Sequence, residues 1–457
     1  MVFPIAGGNE SKGYDVENSL RLNASDSPQL SKDMSGYGNA TNTKKFTTSF
    51  WLKPGNVPQT SYGGIIDVGG DHTISLVSDN TFYFFENGGS DLYWRPTRVF
   101  RDPSAWYNII IIADSTLSTQ TDRVKIYVNG VRETSFHNNS GPSQNHDFAF
   151  NTVNTRYVGR KQGTSSSLDG YLTEIHHIDG QAKAHTDFGE FDDNGVWIPI
   201  KYEGTYGDTG YYLEFKQTGT SQNSSGIGAD TSGEDNHFAV SNLAATDITE
   251  DTCTNNFATF NPLIRGAYTL SEGNCKITGG SSETIDNSGV ATISMDSGKF
   301  YCEMKPTDVG GNPLFGIIEI DGWNQGSNSL AFNGYFYKKT GQKIPYAGSG
   351  GSNADYGSAI SANDIVSLLY DADNGTLSFY LNGSSQGDAF TSIDTSKTWT
   401  FITWDNTTTG RSIIEANFGN PAFAVSSGNT DGKYGNFEYA PPSGYYALCT
   451  KRLAEFG

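Results

Sequence analysis

Two adjacent histidines, His176 and His177, are flanked by Glu174 and Asp179 and supply the residue types from which metal centres are built. Neighbouring residues of a strand point to opposite faces, so the two imidazoles cannot bind one ion, and Glu174 shares a face only with His176. We therefore expect a packed strand at this position rather than a metal site.

A second acidic group, Asp371 and Asp373, is followed by Gly375 and superficially resembles the start of a calcium loop. It stops short of the acidic series and the terminal Glu that such a loop requires, so we interpret it as a hairpin turn. Further carboxylates that fall in loops or at strand ends are Asp67, Asp71 and Asp114. We assign none of them as a ligand, and the sequence predicts no cofactor, with calcium left open.

Aromatic residues beside polar ones supply the remaining chemical signal. The apolar face of a pyranose stacks on a flat ring while its hydroxyls need donors and acceptors. Loop-like or strand-end segments carry such residues, namely Tyr93, Trp94, Arg95, Trp323, Tyr335, Tyr337 and Trp404. We predict glycan binding at Trp94, Arg95, Trp323 and Trp404. The alternative is that these rings close the ends of a sandwich or line a subunit contact.

These side chains must be positioned by β-hairpins. Residues 371–383 contain Asn374-Gly375 and Asn382-Gly383, and Asn-Gly is the dipeptide that two-residue type I′ turns favour. Between the two turns, Leu377, Phe379 and Leu381 alternate with polar residues and Tyr380, which predicts one buried and one exposed face. Residues 124–130 repeat the same alternation and the same Asn-Gly turn.

The composition indicates an all-β protein with more than one core. The chain has 457 residues, with Gly 54, Tyr 25 and Phe 27 against Met 4, which is typical of aromatic-rich, turn-rich β structure. We find no convincing helix of three turns. At about 150 residues per domain, the length favours two or three domains.

The formal net charge of −20 disfavours nucleic acid and anionic lipid as partners, and the sequence has no Lys/Arg cluster that would offer them a positive surface. The first eight residues lack the features of a secretory signal and no apolar run could span a membrane, so we expect a protein made and kept in a cytosol. Cys302 is placed on an inward strand face, whereas a Cys253–Cys275 bridge stays open.

The order of predicted strands and loops divides the chain into five segments. Residues 1–13 form an N-terminal arm, and residues 14–190 form a first antiparallel β-sandwich or jelly roll. An aromatic and Ser/Gly-rich connector spans 191–252. Composition alone would make its stretch at 218–236 a flexible linker, but the aromatic residues on either side indicate otherwise. A second β-sandwich spans 253–425, and a C-terminal segment spans 426–457.

Six motifs of the first sandwich resemble, in this order, the laminin-G-like or concanavalin A-like jelly-roll modules; they are residues 18–23, 48–55, 106–109, 125–130, 157–160 and 169–175. More narrowly, they are similar to the variant common in virion proteins of tailed bacteriophages. Residues 298–303, 315–317, 374–383 and 417–419 resemble the SPRY family. Residues 441–449 resemble the C-terminal signature of phage proteins that carry this domain.

The resemblance implies a structural virion protein: a head or tail fibre, or a decoration protein, assembled in the host cytoplasm and displaying surfaces for host or glycan adhesion. It also implies a homo-oligomer, a trimer if the protein is a fibre, that contacts other virion proteins. Families of glycosidases that this fold resembles carry a Glu-x-Asp-x-Glu pattern. Only Glu319 and Asp321 come near this pattern here, so we predict no catalysis. Two alternatives are a secreted or surface carbohydrate-binding adhesin and a polysaccharide-degrading enzyme.

Overall fold

A computed structural model describes residues 13–36, 40–57, 62–163, 166–264, 268–279, 288–320, 332–348, 351–405 and 410–457. The chain forms two compact units, the first ending at Thr254 and the second running from Asn255 to Gly457. Their regular structure is almost entirely antiparallel β-sheet, which confirms the predicted all-β sandwich class. Within the described ranges no helix has the length and apolar character needed to cross a bilayer.

The first unit contains eighteen labelled strands among its described residues. They are β1 (Ser19–Leu22), β2 (Gln29–Lys32), β3 (Lys45–Pro54), β4 (Gly63–Val68), β5 (His72–Leu76), β6 (Phe82–Glu86), β7 (Leu92–Pro96), β8 (Tyr107–Asp114), β9 (Val124–Val128), β10 (Val131–Arg132), β11 (Phe136–Ser140), β12 (Arg156–Val158), β13 (Gly170–Asp179), β14 (Gly189–Phe191), β15 (Trp197–Pro199), β16 (Tyr211–Leu213), β17 (Ala239–Ser241) and β18 (Ile248–Thr249).

Two sheets of this unit enclose its main core. The back sheet has the order β10-β9-β8-β3-β13-β1-β18, with β16 also paired to β13, and the front sheet has the order β11-β7-β6-β5-β4-β12-β2-β17. Period-2 alternation directs Ile109 and Ile111 of β8, and Phe82 and Phe84 of β6, into the space between them, where all four are fully buried. The opposite face of each sheet is therefore available for other contacts.

The segment predicted as a connector is folded onto the first unit. Its strands β16, β17 and β18 pair with β13, β2 and β1. Lys53 Nζ lies 2.7 Å from a carboxylate oxygen of Asp251, and both side chains are buried. Aromatic residues on the outer face of the back sheet and in this segment form a second apolar layer, made of Trp51, Trp106, Tyr171, Phe188, Trp197, Tyr202 and Tyr206.

The Ser/Gly/Asn/Asp-rich stretch at 218–236 is ordered by side-chain hydrogen bonds. The Asp230 carboxylate accepts the backbone N–H groups of Tyr212 (2.8 Å) and Asn236 (2.8 Å). Asn236 Nδ2 donates to the carbonyls of Asp208 (3.0 Å) and Gly210 (2.8 Å). Composition predicts a flexible linker here, but buried Asp and Asn side chains supply the backbone with partners that a solvated linker lacks.

The second unit contains β19 (Thr269–Ser271), β20 (Lys276–Thr278), β21 (Ser288–Val290), β22 (Lys299–Val309), β23 (Pro313–Glu319), β24 (Phe332–Lys338), β25 (Gln342–Gly348), β26 (Ala354–Asp355), β27 (Val366–Asp371), β28 (Thr376–Leu381), β29 (Ser384–Phe390), β30 (Trp399–Asp405), β31 (Ser412–Asn417), β32 (Tyr446–Ala447) and the helix α1 (Thr450–Phe456). One sheet has the order β19-β20-β31-β22-β27-β28-β29, with β32 parallel to β22. The other has the order β21-β30-β23-β24-β25-β26.

The hairpin strand predicted at 371–383 is confirmed as β28, with Leu377 and Phe379 fully buried. Asn382-Gly383 has both φ angles positive (49° and 76°), as a type I′ turn requires, and so has Asn129-Gly130 (47° and 74°). The two-residue turn predicted at Asn374-Gly375 is wrong. Asp371 pairs with Thr376, so four residues form the loop, and the Asp371 carboxylate accepts the backbone N–H of Asn374 at 3.0 Å.

Cys253 and Cys275 are not joined by a disulfide, which answers the question that the sequence left open. Cys302 is fully buried between Phe300 and Met304 on the inner face of β22, as its strand pattern predicts. Burial raises the pKa of the Cys302 thiol, and the negative charge of Glu303 acts in the same direction. The thiol therefore stays protonated and behaves as a small apolar side chain.

Candidate functional site

Two of the three tryptophans predicted to stack on sugar, Trp94 and Trp404, do not present a face to solvent. Trp94 is 3% exposed and packs edge-on against Phe136, with ring centroids 4.9 Å apart. Trp404 is 1% exposed and lies in an apolar core beside Phe336. Their assignment as exposed aromatic residues is wrong, because strand alternation turns both side chains inward. Trp323 lies outside the described residues.

Arg95 and its neighbour Tyr93 do reach a surface cavity. The alternation of β7 places Leu92 and Trp94 in the core and directs Tyr93 and Arg95 to the outer face of the front sheet. There they line a cavity of about 340 Å³, which we call the aromatic groove; its lining residues are Tyr62, Val77, Ser78, Asp79, Tyr83, Phe85, Gly88, Gly89, Tyr93 and Arg95. The sequence analysis predicted Arg95 and considered Tyr93, but it missed Tyr62, Tyr83 and Phe85.

Four rings form the apolar part of the groove. Tyr83 and Phe85 stack with centroids 4.8 Å apart and an interplanar angle of 24°. Tyr93 stands perpendicular to both, and Tyr62, which is 53% exposed, leans against Tyr83 at 5.8 Å. Rings at right angles offer both a floor and a side wall, and a flat ring face is a surface on which an apolar sugar face can stack.

The groove is part of a row of side chains that crosses the front sheet. Cross-strand partners share a face, and successive registers join Tyr157 to Asp67, Asp67 to Thr73, Thr73 to Phe85 and Phe85 to Tyr93. Strands lie about 4.8 Å apart, so this row of five residues spans about 19 Å. Asp67 and Thr73 in the middle of this row are fully buried, so a ligand can contact only the residues at its two ends.

The charged residues of the groove are paired with one another. Arg95 forms an ion pair with Asp79, and its Nε donates to Thr81 Oγ1 at 2.9 Å. Partial burial acts to raise the pKa of Asp79, but hydrogen bonds from Thr81 and the charge of Arg95 outweigh it and lower that pKa. Lys161 Nζ lies 5.4 Å from the centre of the Phe85 ring. The groove therefore offers donors and acceptors without a large net charge.

Asp67 is the one carboxylate of the row and is buried in β4. Its Oδ1 accepts the backbone N–H of Gly70 at 3.1 Å and of Gln162 at 3.3 Å. Its Oδ2 is buried without a hydrogen-bond partner in the described part of the chain. Burial raises the pKa of Asp67 from 3.8 to about 6, against the lowering effect of those two N–H groups.

The other candidate groups have structural partners. Glu319 is buried, pairs with Lys397 at 3.0 Å and accepts a hydrogen bond from Asn333, whereas Asp321 lies outside the described residues. Lys299 Nζ lies 2.7 Å from the Asp371 carboxylate, and Asp373 accepts the backbone N–H of Gly298. Both aspartates therefore have structural contacts between the hairpin and residues 298–299. Across the described ranges, no three His, Cys, Asp or Glu side chains are placed to hold a metal ion.

Two family models match this chain, one in each unit. Residues 31–184 match the Laminin_G_3 model, described as the concanavalin A-like lectin/glucanases superfamily. Residues 283–414 match the SPRY domain model. The chain thus carries a concanavalin-like domain followed by a SPRY domain, in the order that the motifs predict.

Solved structures with similar folds include the SPRY domain of human HERC1, at 17% identity over 34% of this chain and 96% of that chain, with a TM-score of 0.29. A Bacteroides ovatus protein named for a proposed carbohydrate-binding role is 12% identical over 50% of this chain and 59% of that chain, with a TM-score of 0.35. A heptameric SAP-like pentraxin from Limulus polyphemus is 15% identical over 38% of this chain and 80% of that chain, with a TM-score of 0.27.

Proposed function

We propose that this chain, in which a concanavalin-like domain precedes a SPRY domain, is a glycan-binding adhesion protein whose sugar site is the aromatic groove. The observation that carries the proposal is the pair of perpendicular ring surfaces made by Tyr83, Phe85 and Tyr93 beside the Arg95–Asp79 pair. A pyranose stacks on such rings while its hydroxyls hydrogen-bond to the charged groups. The superfamily description of residues 31–184 includes lectins.

We propose further that the bound glycan is not cleaved. Hydrolysis needs two carboxyl groups free to act as acid and as nucleophile or base. In the groove, Asp79 is paired with Arg95, and in the adjoining row Asp67 accepts two backbone N–H groups. These contacts support binding without catalysis. Incubating the protein with a bound polysaccharide and measuring reducing ends should give the rate of the buffer blank, and a higher rate would contradict this part of the proposal.

The binding site is tested with aromatic residues matched for exposure. Tyr62 is 53% exposed and lines the groove, whereas Phe191 is 48% exposed and lies on β14, away from it. On a glycan array, Tyr62→Ala and Tyr93→Ala should weaken binding about tenfold or more, as removal of an interface anchor does. Phe191→Ala should leave binding unchanged. Equal effects of Tyr62→Ala and Phe191→Ala would contradict the assignment of the groove.

We propose that the protein acts in the virion of a tailed phage, as a fibre or decoration subunit. The support is the sequence resemblance: six ordered motifs of the first domain and residues 441–449 are similar to phage virion proteins. In that setting the chain is a homo-oligomer, because virion appendages follow closed symmetry. Mass spectrometry of purified particles should detect the chain, and light scattering should give a multiple of 49.5 kDa. A monomer that is absent from particles would favour a surface adhesin instead.

A further inference from the structure

A second cavity of the first unit lies at the back sheet, away from the aromatic groove. It has a volume of about 300 Å³ and is lined by four tyrosines, Tyr14, Tyr202, Tyr206 and Tyr212, around Glu174 and His176. We call it the tyrosine pocket. Its volume is at the lower end of the range for small-molecule sites. Nothing in the proposed glycan site uses these residues.

A β-bulge in β13 creates the pocket. β1 pairs with Gly170–Leu172 and β16 pairs with Ile175–His177, so the partner strand changes at Glu174. The register with β3 shifts at the same point, and Glu174 has a φ of +50°, a conformation that costs free energy for any residue other than glycine. The extra residue lets Leu172 and Ile175 both face the core while Glu174 and His176 face outward into the cavity.

The floor of the pocket is a closed hydrogen-bond network around the Glu174 carboxylate. Tyr14 donates to its Oε2 at 2.7 Å and Tyr212 donates to its Oε1 at 2.6 Å. His176 Nε2 lies 3.6 Å from Oε2, and its Nδ1 lies 2.8 Å from the Tyr206 hydroxyl. Burial would raise the pKa of Glu174, but His176 and the two phenols outweigh it and lower that pKa. Glu174 is therefore a buried anion in which each carboxylate oxygen already accepts one phenol hydrogen.

Three of the rings around this anion, His176, Tyr206 and Tyr212, are nearly parallel, whereas the Tyr202 ring stands at 80° to Tyr206. The His176 ring stacks on Tyr212 with centroids 4.3 Å apart, and Tyr206 is parallel to Tyr212 at 6.3 Å. Burial raises the pKa of Tyr14, Tyr206 and Tyr212, and the Glu174 charge raises them further, so the phenols remain neutral. Neutral ring faces carry partial negative charge and attract cations.

The charge of the lining also favours a cation. Five carboxylates line the pocket (Asp15, Glu17, Glu174, Glu203 and Glu214) against two lysines, Lys201 and Lys216. Lys201 pairs with Glu203 at 3.1 Å and Lys216 pairs with Glu214 at 3.1 Å, so the two positive charges are locally balanced. What remains is a negative field over aromatic walls.

The hydrogen-bond network decides which kind of cation fits. A hard metal ion needs several free oxygen ligands, and among the described residues no metal-binding group is found. A primary ammonium brings three N–H donors that need acceptors, and it would have to share each Glu174 oxygen with a phenol hydrogen that this oxygen already accepts. A quaternary ammonium has no N–H donor and gains from ring faces and buried negative charge alone.

We propose that the tyrosine pocket binds a quaternary ammonium group, with Glu174 as the counter-ion and Tyr14, Tyr202, Tyr206 and Tyr212 as the aromatic walls. The buried carboxylate supplies the attraction without a direct hydrogen bond. The strained bulge at Glu174 holds that carboxylate toward the rings. The ligand would be a small molecule or a side group that carries a trimethylated nitrogen.

Saturation-transfer NMR with the full chain tests this proposal, using tetramethylammonium as the probe and tert-butanol as its neutral analogue of similar shape. Tetramethylammonium should bind at millimolar concentration or below, and tert-butanol should bind at least tenfold more weakly, because it lacks the charge. Methylammonium should also bind more weakly. Equal binding of the charged and neutral probes, or no binding of tetramethylammonium, would overturn the proposal.

Variants locate the site. Tyr14→Leu should weaken tetramethylammonium binding about tenfold, whereas Tyr14→Phe, which keeps the ring, should stay within about threefold of the wild type. Glu17→Gln and Glu203→Gln change exposed carboxylates without touching the network and should each weaken binding about twofold. Tyr93→Ala, in the aromatic groove, should have no effect. If Tyr14→Leu binds as the wild type does while remaining folded, the pocket is not the site.

Discussion

At the scale of single residues, Asp67 shows how the sheet environment changes an ordinary side chain. It is buried in the front sheet, and one of its oxygens has no hydrogen-bond partner within the described ranges. Its pKa of about 6, instead of 3.8, corresponds to about 3 kcal/mol between the charged and neutral forms. The folded protein therefore holds this proton more tightly than the unfolded chain does.

The sign of the pH dependence follows from that difference. Below pH 4 the carboxyl is protonated in both states, and its contribution to stability is fully present; it is lost as pH rises towards 6. Asp67→Asn keeps an oxygen for the N–H groups of Gly70 and Gln162 and cannot ionise. We expect the variant to gain stability relative to the wild type by about 2–3 kcal/mol between pH 4 and pH 7, measured by urea unfolding. A difference that does not change with pH would contradict the raised pKa.

At the scale of elements, alternation along β28 determines which side chains the second unit depends on. Phe379 is fully buried and contacts Tyr337 with ring centroids 5.2 Å apart. Tyr380, the next residue, lies on the other face and is only partly buried. The strand is paired on both sides, with β27 and β29, so its register is fixed.

Truncation of these two neighbours should therefore differ in cost. Phe379→Ala should lower the free energy of unfolding by about 3–5 kcal/mol, because it leaves a cavity in the core. Tyr380→Ala should cost less than half as much. Chemical denaturation of both variants measures the difference, and equal losses would show that the register of β28 is wrong.

A second test at the scale of elements uses the turn after β9. Gly130 has a φ of +74°, and a Cβ placed there would lie 2.2 Å from the Trp197 ring. Gly130→Ala thus adds both backbone strain and a clash with the aromatic layer over the back sheet. We expect a loss of about 2 kcal/mol or more by thermal unfolding, whereas Gly88→Ala, also at positive φ but with open space around its Cβ, should cost less. Similar losses of stability for the two variants would show that the clash with Trp197 adds nothing to the backbone strain.

At the scale of the whole molecule, the net charge of −20 governs how the protein meets a surface. An acidic protein is repelled by an anionic envelope until the surfaces touch, so the attraction that we propose for the aromatic groove acts at short range. Raising the salt concentration from about 0.01 M to about 1 M shortens the Debye length from about 30 Å to about 3 Å and weakens this repulsion.

Adhesion to intact anionic cells should therefore hold steady or strengthen as salt rises, while affinity for a soluble neutral oligosaccharide should stay nearly constant. Surface adhesion assays and calorimetry across the salt range measure the two quantities. A collapse of both with added salt would indicate binding by ion pairs instead of ring stacking. Tyr62→Ala, tested in parallel, separates adhesion through the groove from other contacts.

The sequence by itself determined the all-β class and most strand faces, because period-2 alternation and Asn-Gly turns are local signals. The order of the two domains followed from the resemblance of its motifs to the two families. The strand that contains Phe379 and the inward position of Cys302 followed from such patterns. The inference that Glu174 can join only His176 also holds, with 3.6 Å between their side chains.

Only the tertiary structure decided where the candidate sites lie. The sequence analysis chose the tryptophans, but adjacent residues of β7 face opposite sides of the sheet, so Trp94 is buried while Tyr93 lies on the outer face. Strand pairing alone brings Tyr83 and Phe85 beside Tyr93. The tyrosine pocket joins residues from Tyr14 to Tyr212 through a bulge that breaks the alternation. A local pattern cannot contain such contacts, because they depend on which distant strands pair and where the register shifts.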